Sequence, residues 1–154
     1  MDSMANGFHV VDRITEDQID DLLVLFKDTY WASHRTHDDV AELVRDTDYV
    51  FGAVEEKTGR IRAFTRVLSD RVYRAVVYDV VVHPDYRGKG LARMVLEAAI
   101  THPEIANLEY LCLFCKPDVV ELYKKMGFTD DLSGLQMMGR KGPLRVDGKA
   151  QREH

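Results

Sequence analysis

Residues 75–83 (AVVYDVVVH) form an apolar run that ends at Pro84; the chain then passes Gly88 and Gly90 and enters an amphipathic helix. A strand that turns through glycine straight into a helix commits the chain to an α/β fold. The helix, read over roughly 89–102, carries Leu91, Met94, Val95 and Ala98 on one face. The turn reads Tyr86-Arg87-Gly88-Lys89-Gly90-Leu91-Ala92. Its glycines let successive backbone N–H groups point into one concavity and leave room for an anion to approach the backbone. The helix N-terminus adds about half a positive charge, and Arg87 and Lys89 add full ones. Together these features suit a pyrophosphate. The competing reading is an ordinary turn with incidental basic residues. The spacing matches neither a P-loop nor the three-glycine dinucleotide fingerprint.

The remaining elements alternate around this unit. Residues 8–12 read as a short strand, and Thr15 opens a helix with Gln18 as its capping-box partner. Ile19, Leu22, Leu23, Phe26 and Tyr30 continue at helical spacing as a buried stripe. A second helix fits 37–46, with Val40, Leu43 and Val44 on one side. Strands are expected at 49–55, 61–68, 75–83 and 108–114, with weaker signals at 127–130 and 135–139. Pro117 opens a helix to Met126, and Gly127 stops it. Residues 142–154 lack apolar periodicity and are read as a mobile tail, leaving 1–141 as a single domain.

Composition excludes several classes. A net charge of −5 argues against a dedicated nucleic-acid binder. With 45% hydrophobic and 31% charged residues, the chain is neither a disordered tail nor a membrane protein, and no apolar run approaches the ~20 residues of a membrane span. The start, MDSMANGFHV, has neither the basic nor the apolar region of a secretory signal, so a cytoplasmic location is expected. Cys112-x-x-Cys115 falls in a strand, where positions three apart face opposite ways, and no second pair completes a zinc site; no metal is expected. Residues 1–58 hold 14 acidic and 5 basic residues, which reads either as attraction for a cationic substrate or as a solvated acidic face.

Arg87-x-x-Gly90-x-Ala92 resembles the Q/R-x-x-G-x-G/A signature of the GNAT-type N-acetyltransferase superfamily, and Asp79–Pro84 resembles the strand before it. Glu121–Phe128 is similar to the family's second signature, a helix ending in Y-x-x-x-G-F. The resemblance covers roughly 50–130. Tyr30-Trp31-Ala32-Ser33-His34-Arg35 resembles a segment of a small-molecule branch. One departure is Lys116-Pro117-Asp118 at the start of the second signature helix, where a small polar residue is expected. The resemblance implies a GNAT-like α/β fold: a mixed central sheet of about six to seven strands flanked by about four helices.

It also implies a mechanism. Acetyl-CoA would lie as co-substrate where the strands 75–83 and 108–114 splay apart. Its diphosphate would sit on the N–H groups of Arg87, Gly88, Lys89, Gly90, Leu91 and Ala92, and its pantetheine arm would pair with the backbone of Val81 and Val82. A strand N–H near Val81 would polarise the thioester carbonyl. A neutral amine would attack directly, although alkylamines have a pKa of about 10. Tyr123, one turn before Gly127, is the candidate proton donor to the leaving thiolate; the alternative is a core tyrosine. Asp79 is the candidate base, directly or through water, or else a structural aspartate; alternation sets it on the face of Val77 and Val81. Tyr30, Trp31 and Arg35 are candidate acceptor contacts, although Tyr30 also continues a buried stripe. The acceptor implied is the primary amine of a small molecule. A protein or peptide amine, or a non-catalytic acyl-CoA-binding role, stands as the alternative. Nucleic acid and membrane are not expected partners, and domains of this family often pair as homodimers through late strands.

Overall fold

A computed structural model describes residues 6–142, 145–146 and 149–150. Strand β1 (Phe8–Val11) leads to a 3-10 turn at Glu16–Gln18, where the Thr15 N–H donates to Gln18 Oε1 at 3.0 Å. Helix α1 (Ile19–Lys27) and helix α2 (His37–Asp46) follow. Three antiparallel strands come next, β2 (Tyr49–Glu55), β3 (Ile61–Ser69) and β4 (Arg74–Val82). Helix α3 (Leu91–Thr101) is followed by the short α4 (Pro103–Ala106), β5 (Tyr110–Leu113) and α5 (Val120–Lys124).

The sheet has five strands in the order β1-β2-β3-β4-β5, and only the β4–β5 pair is parallel, with α3 making the crossover. The expected six to seven strands in one sheet are therefore not formed. Neither 127–130 nor 135–139 is a strand. Local bonds compete with a ladder there: Asp131 N–H donates to Thr129 Oγ1, and Ser133 N–H to Asp131 Oδ1, each at 3.0 Å. Within the segment read as a tail, β6 (Arg145–Val146) and β7 (Lys149–Ala150) pair separately, and the other residues from 143 onward lie outside the described residues. Five α-helices replace the expected four, because His102 ends α3 and Pro103 opens a new turn. Among the described residues no helix is long and apolar enough to cross a membrane.

Both faces of the sheet are covered. On one, Phe51, Ala63, Val67 and Val77 cluster with Leu91, Met94, Val95 and Leu96 of α3. On the other, Val50, Ile61, Phe64 and Val81 cluster with Leu22, Leu25 and Phe26 of α1 and Val40 of α2. Val77 and Val81 thus face opposite ways, contrary to simple alternation. The β3–β4 register jumps from Phe64↔Val81 to Arg66↔Tyr78, so two β4 residues oppose Thr65 alone. Asp79 lies in this bulge at φ 57°. One inserted residue resets the period of two and turns everything after it to the other face.

Helix α1 stops short of Tyr30. The Thr29 hydroxyl donates to the Phe26 carbonyl at 2.7 Å and accepts from Ala32 N–H at 3.1 Å. It thereby caps the carbonyl that residue 30 would use in a continuing helix. Tyr30 leaves the buried stripe and is 72% exposed, which corrects the expectation of a core residue.

Candidate active site

The parallel ladder runs only from Arg74↔Tyr110 to Val77↔Leu113. Beyond it β4 continues through Val81 and Val82 while β5 ends, and a cleft of about 700 Å³ opens between them. The rest of β4, the glycine turn, the start of α3, the segment after β5, part of α5 and residues 28–31 line it.

The glycine turn folds as its residues dictate. His83 Nδ1 accepts the Asp85 N–H at 3.1 Å, Pro84 opens a 3-10 turn, and the Tyr86 hydroxyl donates to the Glu55 carboxylate at 3.1–3.2 Å. Gly88 and Gly90 take φ values of 78° and 80°. A Cβ at either would meet nothing within 4 Å, so it is the left-handed backbone that requires glycine at both. Gly90 is the N-cap of α3, and Leu91 and Ala92 of its first turn, whose N–H groups have no partner within the helix, line the cleft. Arg87 lines the cleft, with Nη2 on Asp28 Oδ2 at 2.6 Å. Lys89 is exposed and is not among the lining residues.

Tyr123 is buried in the cluster under α3, and it lines the cleft. Its carbonyl accepts the N–H of Met126 at 2.9 Å and of Phe128 at 3.1 Å, a closure that Gly127 permits at φ 94°. The turn brings Phe128 edge-on to the Tyr123 ring at 5.9 Å, which accounts physically for the Y-x-x-x-G-F pattern. Among the described residues its hydroxyl has no hydrogen-bond partner. Burial pushes its pKa up to about 12, with a smaller contribution from Cys115.

Asp79 faces the α1 side. Arg35 Nη1 donates to its Oδ2 at 2.8 Å and Nη2 to Oδ1 at 3.2 Å; Arg66 Nε donates to Oδ2 at 2.7 Å, and the Trp31 indole N–H to Oδ1 at 3.1 Å. Burial works to raise its pKa, but the hydrogen bonds and charges of Arg35 and Arg66 outweigh it and hold the carboxyl below its ordinary value. Arg35 also lies over the Phe26 ring at 4.7 Å.

Sequence reasoning missed Arg66, Tyr78, Phe114 and Lys116. The signal for Arg66 was a charge in the middle of the strand-like IRAFTRVL run, where it, like Arg62 before it, must find a partner once buried. Tyr78 stacks on Phe114 at 6.0 Å, Tyr30 meets Trp31 edge-on at 5.0 Å, and Lys116 Nζ lies 4.0 Å over the Tyr30 ring.

Residues 12–128 match the Acetyltransferase (GNAT) family. The chain is 33% identical over 97 residues to the uncharacterized N-acetyltransferase ycf52 of Pyropia yezoensis, covering 62% of this chain and 56% of that protein. It is also 33% identical over 95 residues to GCN5-related N-acetyltransferase 1, chloroplastic, of Arabidopsis thaliana, covering 62% and 48%. The chain spans about half the length of these curated relatives. The crystal structure of a Xanthomonas campestris pv. campestris protein described as belonging to the GNAT family aligns at 30% identity and a TM-score of 0.74, over 95% of this chain and 97% of that one.

Proposed function

Since this chain belongs to the acetyltransferase (GNAT) family, we propose that it transfers the acetyl group of acetyl-CoA to the primary amine of a small molecule. The observation that carries this reading is one cleft that joins an unpaired strand edge, a glycine turn at the N-terminus of α3 and a buried tyrosine whose pKa is raised.

The residues present fit the co-substrate. The N–H groups of residues 87–92 hold the diphosphate at the N-terminus of α3. Arg87 joins them by exchanging Asp28 for phosphate; that exposed ion pair contributes little and is readily given up. The β4 edge at Val81 and Val82 takes the pantetheine arm as an added strand. An N–H near Val81 polarises the thioester carbonyl, the amine nitrogen forms the new C–N bond, and the C–S bond breaks. Tyr123 supplies a proton to the departing sulfur. A hydroxyl with a pKa of about 12 carries its proton throughout the neutral range, so it enters the reaction as a donor, a weaker one than an ordinary tyrosine, and not as a phenolate base.

Asp79 fits the structural alternative better than the base. Both its oxygens are engaged by cations, and its lowered pKa makes it a weak proton acceptor. It is a positioning residue that fixes Trp31 and Arg35, and water carries the proton away from the amine.

Thiol release from acetyl-CoA, followed colorimetrically with a panel of primary amines, tests the proposal. Release that depends on both substrates is expected. A chain that binds acetyl-CoA and never releases thiol above background is an acyl-CoA-binding module instead.

A further inference from the structure

The two sides of the cleft differ in chemistry. The glycine turn, α3 and Tyr123 belong to one face of the sheet. On the other face, beside α1, stand Tyr30, Trp31, Tyr78 and Phe114, all lining the cleft. Three of them are unusually open: Tyr30 is 72%, Trp31 39% and Phe114 53% exposed. Two aromatic pairs, Tyr30 with Trp31 and Tyr78 with Phe114, gathered with exposed rings in one concave site mark a ligand surface rather than ordinary packing.

The rings are held in place. The Trp31 indole N–H is tied to Asp79, the Tyr78 ring is flanked by Arg66 at 5.1 Å and by Phe114, and Lys116 covers Tyr30. Rings fixed before binding lose little entropy when a partner docks on them.

Charge narrows the occupant further. Of the 14 acidic residues in 1–58 only Asp28 lines the cleft, and Arg87 holds it. Asp79 is held by two arginines. Asp118 stands exposed before α5. The wall opposite the co-substrate therefore offers aromatic rings beside a carboxylate, Asp79, already paired with two arginines; once Arg87 turns to phosphate, Asp28 and Asp118 are the lining carboxylates open to a cation, too few to match a polyamine or a lysine-rich peptide on charge alone.

We infer that the acceptor is an alkylamine carrying an aromatic ring, which seats on Tyr30, Trp31, Tyr78 and Phe114 with its amine directed at the thioester. This rests on the acetyl-transfer reading above, and it names the acceptor class for that site.

The test compares 2-phenylethylamine with 2-cyclohexylethylamine, which has the same carbon skeleton but a saturated, puckered ring, and with spermidine and a lysine peptide, in the thiol-release assay. A roughly three- to tenfold higher kcat/KM for the phenyl compound over the cyclohexyl one is expected, with spermidine and peptide lower still. Phe114→Ala and Tyr30→Ala, both at exposed positions, are expected to remove that preference and leave the KM for acetyl-CoA unaltered. Equal use of the saturated amine, preference for spermidine or peptide, or an unchanged preference in both variants overturns the inference. Calorimetry with acetyl-CoA separates the two levels. If acetyl-CoA binds and aromatic amines are not turned over, the acceptor class is wrong and the donor site stands. If acetyl-CoA does not bind, both fall.

Discussion

Tyr123→Phe is expected to lower kcat by about a hundredfold or more while the KM for acetyl-CoA stays near its original value. The substitution removes one atom. The ring keeps its edge-on contact with Phe128, and the lost hydroxyl has no hydrogen-bond partner among the described residues, so the fold loses little. What disappears is the only proton donor that the proposed mechanism places on the leaving sulfur. The tyrosine's pKa of about 12 keeps its own titration out of a profile taken between pH 6 and 9, so any limb in that range belongs to another group, the acceptor amine foremost. Steady-state kinetics of both proteins give the answer; unaltered turnover removes Tyr123 from the chemistry.

Asp79→Asn is expected to cost about 3–5 kcal/mol of stability at neutral pH and to lower Tm by roughly 10 °C. The change deletes a charge and keeps the shape. Asparagine tolerates the positive φ of the bulge as aspartate does, so the backbone has no reason to move. Arg35 and Arg66, both largely buried, are then left without their counter-charge. The pH dependence has a definite sign. The folded-state pKa of Asp79 lies below the ordinary aspartate value, so its contribution is complete above about pH 4 and fades as pH falls through the lowered pKa. The gap between the two proteins in urea titrations is therefore widest near neutrality and closes in acid. Equal stability at pH 7 would show that the cluster holds nothing together.

What the sequence made legible was local. The strand, glycine turn and amphipathic helix of 75–102 are neighbours in the chain, and so are Tyr123, Gly127 and Phe128; each group writes its structure in adjacent residues. The bulge at Asp79 left no such mark, because an inserted residue in a run of valines does not disturb the apolar pattern. Tyr30 sat at the right spacing to extend α1, and only the Thr29 hydroxyl decided otherwise. The segment 135–139 carries a strand-like composition that the bonded turn before it does not deliver to the sheet. Arg66 reaches Asp79 through sheet pairing, and Phe114 meets Tyr78 across the parallel strands; neither long-range meeting has a short-range signature.

The central claim is that main-chain amides at the turn before α3 grip a diphosphate. Titration calorimetry of CoA and, separately, of pantetheine tests it. CoA is expected to bind about a hundredfold more tightly, since hydrogen bonds to a charged group contribute about 1.5–3 kcal/mol each. A Gly90→Val variant, denied its left-handed backbone, should narrow that gap. Pantetheine binding as tightly as CoA, or a gap untouched by the valine, would contradict the claim.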